Sequence, residues 1–238
     1  MRFFKGDLHI HTCLSPCADL EMSPKNIIKR AKEENLEIIA ICDHNSLENS
    51  EPIINLGKKE KILVIPGMEI TTKEEVHLLA FFQSLDKAKE FQRIIYDNLP
   101  DLEDEKFIEE QPIVDEEEYV LGFCKKALFS AVNLKIEEIV EKIHYFGGIS
   151  VASHIDREAF SIIGQLGFIP ENLKLDGVEF AFYYKEEYKF YNLPLIRSSD
   201  AHFLNEIGQR FSLFYIDDLN FEEFFLAFKN KDGRFVKI

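Results

Sequence analysis

Two histidines two residues apart, His9 and His11, close the apolar stretch that opens this 238-residue chain. Five more follow, at 44, 77, 144, 154 and 202, and all but His144 fall within or at the end of an apolar, strand-like run. Glu69 ends one such run, and Asp200 stands two residues before His202 in another. Imidazoles and carboxylates supplied together suit a divalent ion such as zinc, manganese or iron. One ion would leave most of these donors unused, so the count points to two or three ions sharing a bridging carboxylate. His144 alone sits in a helical pattern and reads as structural.

The strand period supplies a geometry. Side chains alternate faces, so Asp7, His9 and His11 point one way while Leu8 and Ile10 point the other. Two imidazoles on one face can reach the same cation, and Asp7 is placed to hold one of them from behind and fix its tautomer. His77 opens the run "VHLLAFF", and Asp200 and His202 repeat the alternation near the far end of the chain. Cys17 and Asp19 lie in the polar loop after the first run.

Elements that could carry these residues are legible. Buried strands are expected over 36–44, 62–70, 76–82, 148–154, 176–182 and 193–202, with a further strand at the N-terminus. Helical patterns cover 23–35, where Ser23 and Pro24 read as cap and first turn, and 135–148, which Gly147 and Gly148 end. This alternation predicts an α/β fold with a largely parallel sheet covered by helices. The C-terminal ends of such strands are where active sites gather. Periodicity alone leaves closed barrel and open sheet both open. The acid-rich stretch 100–134 breaks the rhythm and reads either as an insertion over one end of the barrel, a lid, or as a solvated acidic loop, with a hairpin across "PIVDEEEYVLG".

Composition narrows the partners. Lys and Arg total 28 against 43 Asp and Glu, a net charge of −15 with no basic run, which argues against long nucleic acid. A small phosphorylated substrate held by bound cations remains compatible. The start of the chain lacks an apolar signal core, and no apolar run approaches about 18 residues, so a cytoplasmic protein without a membrane span is expected. The four cysteines, at 13, 17, 42 and 124, have no disulfide or zinc-knuckle spacing. Cys42, inside a strand, reads as a small hydrophobe. Oligomeric state leaves no mark in the sequence.

"DLHIHT", "CDHN", "GMEI…VHLLAF", "ASHIDR" and "SSDAHF" occur in this order between Asp7 and His202. In order and character they resemble the PHP family, the polymerase and histidinol phosphatase superfamily. "CLSPCADLEMSP", "DHNS" and "EEVHLLAFF" are more narrowly similar to its stand-alone bacterial members, which are not fused to a polymerase. The resemblance implies a single domain, a distorted (β/α)7 barrel with a metal centre at its C-terminal mouth. It further implies a first ion on His9, His11, Glu69 and Asp200, and a second shared through Glu69 with His77 and His154. A third would rest on His44, His202 and the loop position occupied by Cys17. Many relatives carry histidine or an acid there. Direct thiolate ligation is the leading reading, with Asp19 as a substitute or a weakened third site as alternatives.

The implied chemistry is hydrolysis of a small phosphoester, a phosphomonoester or short nucleotide, by a metal-activated water. Glu69 would bridge and space the ions, Asp200 would orient the water, and His202 or His154 would protonate the leaving oxygen. Arg157 would grip the phosphate, with Arg197 a weaker candidate. Asp43 would support the site beside His44, and Asn45 would shape the turn. Two other readings compete: an amidohydrolase-like metal hydrolase, which also carries H-x-H and a late aspartate, and a non-catalytic metal-binding regulatory module.

Overall fold

The structure is a computed structural model that describes residues 1–182 and 193–238. Its first half alternates as expected: β1 (Arg2–Ile10), α1 (Pro24–Glu33), β2 (Ile38–Ile41), α2 (Ser50–Glu60) and β3 (Leu63–Thr71). A tight turn over 72–76 then returns the chain as β4 (His77–Phe81), followed by α3 (Leu85–Asp97). The segment after α3 holds α4 (Glu105–Ile108) and a hairpin of β5 (Pro112–Val114) and β6 (Val120–Phe123). Then come α5 (Ile136–Tyr145), β7 (Ile149–Ala152), α6 (Ile162–Leu166), β8 (Gly177–Phe180) and β9 (Leu195–Arg197). The chain closes with β10 (Ser212–Ile216), α7 (Phe221–Phe228) and β11 (Phe235–Lys237).

Among the described residues the main sheet runs β11-β10-β1-β2-β3-β4-β7-β8-β9. The seven strands from β1 to β9 curl until the two ends meet. Ile10 pairs with Ala201 in a parallel bridge, with the His11 amide donating to the Ala201 carbonyl at 3.0 Å. The result is the expected seven-stranded barrel with one distortion: β4 is antiparallel to both β3 and β7. That reversal turns the start of β4, and hence His77, toward the end where the parallel strands finish.

Burial follows from closure. Leu8, Ala40, Ile65, Leu79, Val151 and Ile196 come from six of the seven strands, from one end of the sheet to the other, yet they form one cluster. Only the inner face of a curled sheet brings such residues together, and Phe214, Phe224 and Phe228 of β10 and α7 join the same cluster. Outside the sheet, α1 and α2 bury Ile27, Ile28, Ala31 and Ile53 against β2 and β3. The larger cluster under α3 and α5 takes Phe91, Ile139 and Ile143. Gly147 (φ +74°) lets α5 stop, its amide donating to His144 and that of Gly148 to Ile143. No described helix is long and apolar enough to cross a membrane.

Three local expectations change. Ser23 occupies the N-cap of α1, but its hydroxyl makes no cap hydrogen bond and reaches Glu118 of the hairpin turn instead, at 2.5 Å. Leu8 and Ile10 do not share a face, because the pairing of β1 with β2 shifts between Asp7 and Ile10. Ile10 therefore packs with α1 and α2, while Leu8 lies inside the barrel. The 100–134 segment docks beside the mouth and against α2: the buried Asn49 side chain bonds Pro112 and Val114, and Glu116 meets Asn55 and Lys59.

Candidate metal centre

Six histidines meet at one end of the barrel. His9 and His11 finish β1, His44 follows β2, His77 begins the reversed β4, His154 follows β7 and His202 follows β9. Glu69, near the end of β3, stands at their centre. Its Oε1 lies 2.9 Å from His77 Nδ1, 3.1 Å from His154 Nε2 and 3.4 Å from His9 Nε2. Its Oε2 lies 3.2 Å from His44 Nδ1 and 3.4 Å from His11 Nε2. His144 is elsewhere, bonded to Asp176 at 2.8 Å, as a structural residue should be.

Among the described residues, three overlapping groups have the spacing of metal ligands: His9, His11, Glu69 and Asp200; His44, Glu69 and His77; and His11, His44 and His202. In the first, Nε2 of His9 and of His11 are 3.2 Å apart, and each is 3.2 Å from Asp200 Oδ1. Donors bound to one tetrahedral zinc at about 2.0–2.1 Å stand about 3.3–3.4 Å from each other, so this set fits a small divalent ion. Orphaned atoms support the same reading. Asp200 Oδ1, His44 Nδ1 and His154 Nδ1 are buried without a hydrogen-bond partner, which is costly unless a cation or water satisfies them.

Charge balance shows what the site lacks. Burial pushes the Glu69 carboxyl up, but His77 and His9 with hydrogen bonds from His11 and His154 hold it well below the usual carboxylate range. Asp200 is likewise held well down, by His9 and His11 against burial. Burial lowers His9 and His11, yet the facing carboxylates raise the first well above its ordinary value and the second to about 9. Burial and the neighbouring imidazoles keep His44 well below its ordinary value and bring His202 down to about 4. Positive charge is therefore demanded between His9, His11, Glu69 and Asp200, and withheld from His44 and His202.

Lone pairs limit how the groups fill. Ser15 Oγ donates to Asp43 at 2.6 Å and so accepts from His11 Nδ1 at 3.0 Å, leaving His11 only Nε2 to offer. A carboxylate can bridge two ions, so Glu69 can serve the first two groups together. An imidazole lone pair cannot, so the group of His11, His44 and His202 competes with the first. His44 joins Glu69 and His77 where the family resemblance implied His154. His154 touches Glu69 from the side, in a left-handed backbone (φ +27°) that Asp200 (φ +53°) and Asn45 (φ +52°) share.

Cys17, expected in the third ligand set, lies apart from these groups. It is exposed and belongs to none of the three groups, lining instead the two cavities on either side of them. Asp19 does not replace it, since its carboxylate accepts from the Glu21 amide in its own turn. Asp7 also moves: the register shift in β1 turns it to the Ser199 and Gly208 amides, each at 2.9 Å. It pins the loop that carries Asp200 and holds no imidazole. The residue behind His9 is Glu179 of β8, which the sequence reading missed. Fully buried, its Oε2 accepts from His9 Nδ1 at 3.1 Å, Ser153 Oγ at 3.0 Å and the His154 amide at 3.1 Å. A buried acid in the middle of the strand run "GVEF" was the available signal.

Asp43 accepts from Thr12 and from Ser15, whose hydroxyl in turn meets His11 Nδ1. Asn45 shapes its turn and ties β3 to the 100–134 segment, accepting from the Thr71 amide and donating to Leu128 and Ser130. Arg157 reaches the mouth, where one nitrogen meets Asp200 Oδ2 at 2.6 Å. Arg210, unmarked by any motif, stands in the same cavity and donates to the Ser199 carbonyl. Arg197 lies on β9, its backbone bonded to Ser212.

Known proteins resemble this chain in sequence or in fold. Two uncharacterized proteins of Methanocaldococcus jannaschii are each 27% identical, over 74% and 98% of the chain and 80% and 82% of their own lengths. A 5'-3' exoribonuclease of Haemophilus influenzae is 32% identical over a shorter stretch, 30% of the chain and 25% of the enzyme. Among solved structures, the lesion-specific endonuclease Q of Pyrococcus furiosus superposes on 98% of the chain with a TM-score of 0.77 at 21% identity. The chain spans 57% of that endonuclease's length. A protein proposed to be a metal-dependent phosphoesterase, from Bifidobacterium adolescentis, gives 0.53 at 19% identity, over 83% of the chain and 87% of that protein. At these identities the structures speak for the fold. The model of the PHP domain matches residues 7–189, over three quarters of the sequence, and on that match the chain belongs to the PHP family.

Proposed function

We propose that the protein is a metal-dependent phosphoesterase working through two ions that share Glu69. One observation carries the reading: a single carboxylate lies within 3.4 Å of five imidazoles, with Asp200 completing the set. His9, His11, Glu69 and Asp200 would hold one ion, and Glu69, His44 and His77 the other. Ions bound there supply Lewis acidity toward a phosphoryl oxygen and lower the pKa of water.

The chain's own groups do the positioning. Glu179 accepts a hydrogen bond from His9 Nδ1, and Ser15, backed by Asp43, accepts one from His11 Nδ1, so both Nε2 lone pairs face Glu69 and Asp200. Arg157 anchors one oxygen of Asp200, leaving the other toward the imidazoles, and its side chain lines the cavity where a phosphate would lie. His202 donates its Nδ1 proton to the Asp200 carbonyl at 3.0 Å and is held neutral by burial. It is suited to accept at Nε2, as a ligand or base, and not to protonate the leaving oxygen.

The substrate reading is a small phosphoester, with one adjustment. Endonuclease Q, a longer protein with this fold, has been captured with a 27-mer duplex whose abasic lesion is at the active site. An acidic surface with Arg157 and Arg210 concentrated at the mouth is compatible with the end or a flipped residue of a nucleic acid as well as with a free nucleotide. Net charge argues only against unselective binding of long duplexes. A panel of phosphomonoesters, nucleotides and oligonucleotides, run with elemental analysis on zinc- and manganese-loaded protein, tests the proposal. Amide turnover, or inertness to every phosphoester with two ions bound, would refute it.

A further inference from the structure

Two cavities flank the six histidines, meet at Cys17, and differ in chemistry. One, of about 420 Å³, opens on His44 and His77 and is walled by Phe107, Phe129 and Phe160 with Glu110. The other, of about 380 Å³, holds Asp200, His202, Arg157, Arg210 and Glu206, with Phe182 and Phe203 at its edge. Phe107 and Phe129 come from the 100–134 segment, so what first read as an acidic insertion contributes the apolar wall of the mouth. All three phenyl rings are substantially exposed, at 45%, 56% and 43%. Phe107 and Phe129 lie with centroids 6.4 Å apart, and Phe160 stacks on His77 at 4.7 Å.

We propose that Phe107, Phe129 and Phe160 form a subsite for a planar aromatic group of the substrate, such as a nucleobase, beside the reacting phosphate. The proposal rests on the phosphoesterase reading and deepens it. An occupant of this cavity lies against His44 and His77 and so belongs to the molecule being hydrolysed. Among the described residues, Glu110 is the one charged side chain lining that cavity and repels a second phosphate there, whereas the opposite cavity offers the guanidinium groups of Arg157 and Arg210, beside Asp200 and Glu206. The substrate is thereby oriented: uncharged ring toward the 100–134 segment, anionic remainder toward the arginines. Flat rings stack on phenyl faces whatever their substituents, which fits recognition by ring shape with few directed hydrogen bonds.

The test compares adenosine 5'-monophosphate, ribose 5-phosphate and n-hexyl phosphate on the full, metal-loaded chain and on Phe107→Ala/Phe129→Ala. Both rings are exposed, so the double variant should fold, which thermal melting checks. The expected kcat/KM for the nucleotide exceeds that for ribose 5-phosphate by about 10-fold or more. The double variant should lose that advantage while ribose 5-phosphate changes less than about twofold. Equal use of the two sugars' phosphates, an equal fall for both, or a preference for the hexyl ester would overturn the subsite. Saturation-transfer NMR with adenosine 5'-monophosphate gives a readout independent of turnover. Base protons saturated more strongly than ribose protons, and only in the unmutated protein, support the subsite even if the phosphoesterase reading fails. Equal saturation overturns it.

Discussion

Glu179→Gln isolates the residue that orients the centre without touching it. In the native chain one carboxylate oxygen accepts from three buried donors, His9 Nδ1, Ser153 Oγ and the His154 amide, and the other oxygen is buried without a partner. A glutamine can keep its amide oxygen on the three donors and turn its NH2 into the unpartnered position, so shape and hydrogen bonds survive while the charge is lost. Two effects follow. Charge-assisted bonds become neutral ones, costing the metal-free protein about 1–3 kcal/mol, or a few degrees of melting temperature for a chain this long. The imidazole of His9 becomes less basic at Nε2, and outer partners of metal-binding histidines typically control 10–100-fold in metal affinity, about 1.4–2.7 kcal/mol. Glu179→Ala is a poor substitute: it strands all three donors at about 1–3 kcal/mol each, a total near the whole stability of a domain. The assay is competition for zinc against a chromophoric chelator, with circular dichroism verifying the fold. A folded Glu179→Gln protein that binds zinc within about twofold of the native chain would refute the reasoning.

Cys17→Ala should retain the full complement of metal by elemental analysis, because the thiol lies outside every ligand group; loss of one ion per chain would return it to the centre. Stripping metal with a chelator should lower the melting temperature: at 100-fold excess over Kd each ion contributes about 2.7 kcal/mol, roughly 5–10 °C, and scanning calorimetry would expose a null effect. Asp176, bonded to His144, Ser150 and Lys229, has a carboxyl held below its ordinary value against burial, first by the His144 hydrogen bond and then by Lys229. A depressed folded-state pKa stabilises above the unfolded value of about 3.9 and is lost as pH falls through the folded one. Asp176→Asn should therefore melt several degrees lower at pH 7, with the gap closing below about pH 4; a gap independent of pH would contradict this.

The barrel and the histidines were legible because each depends on local pattern. Apolar runs fixed the strands, and polar ligands at run ends stood out against them. Closure was less visible, since it rests on one bridge between Ile10 and Ala201, nearly two hundred residues apart. The errors share a physical origin: strand alternation is only as good as the register that carries it. A single shift in β1 separates Leu8 from Ile10 and turns Asp7 from the imidazoles to the loop holding Asp200. With Asp7 displaced, the demand for an anion behind His9 passes to Glu179, on a strand 170 residues away, where no spacing rule reaches. Cys17 stands apart from the three groups for the complementary reason. Its loop is governed by Thr12, Ser15 and Asp43, whose hydrogen bonds fix His11 and leave the thiol at the junction of the two cavities. Histidines and acids at strand ends are therefore strong evidence that a metal centre exists, but which of them share an ion is decided by tautomers. At His11 that decision rests with Ser15, a residue no metal would touch.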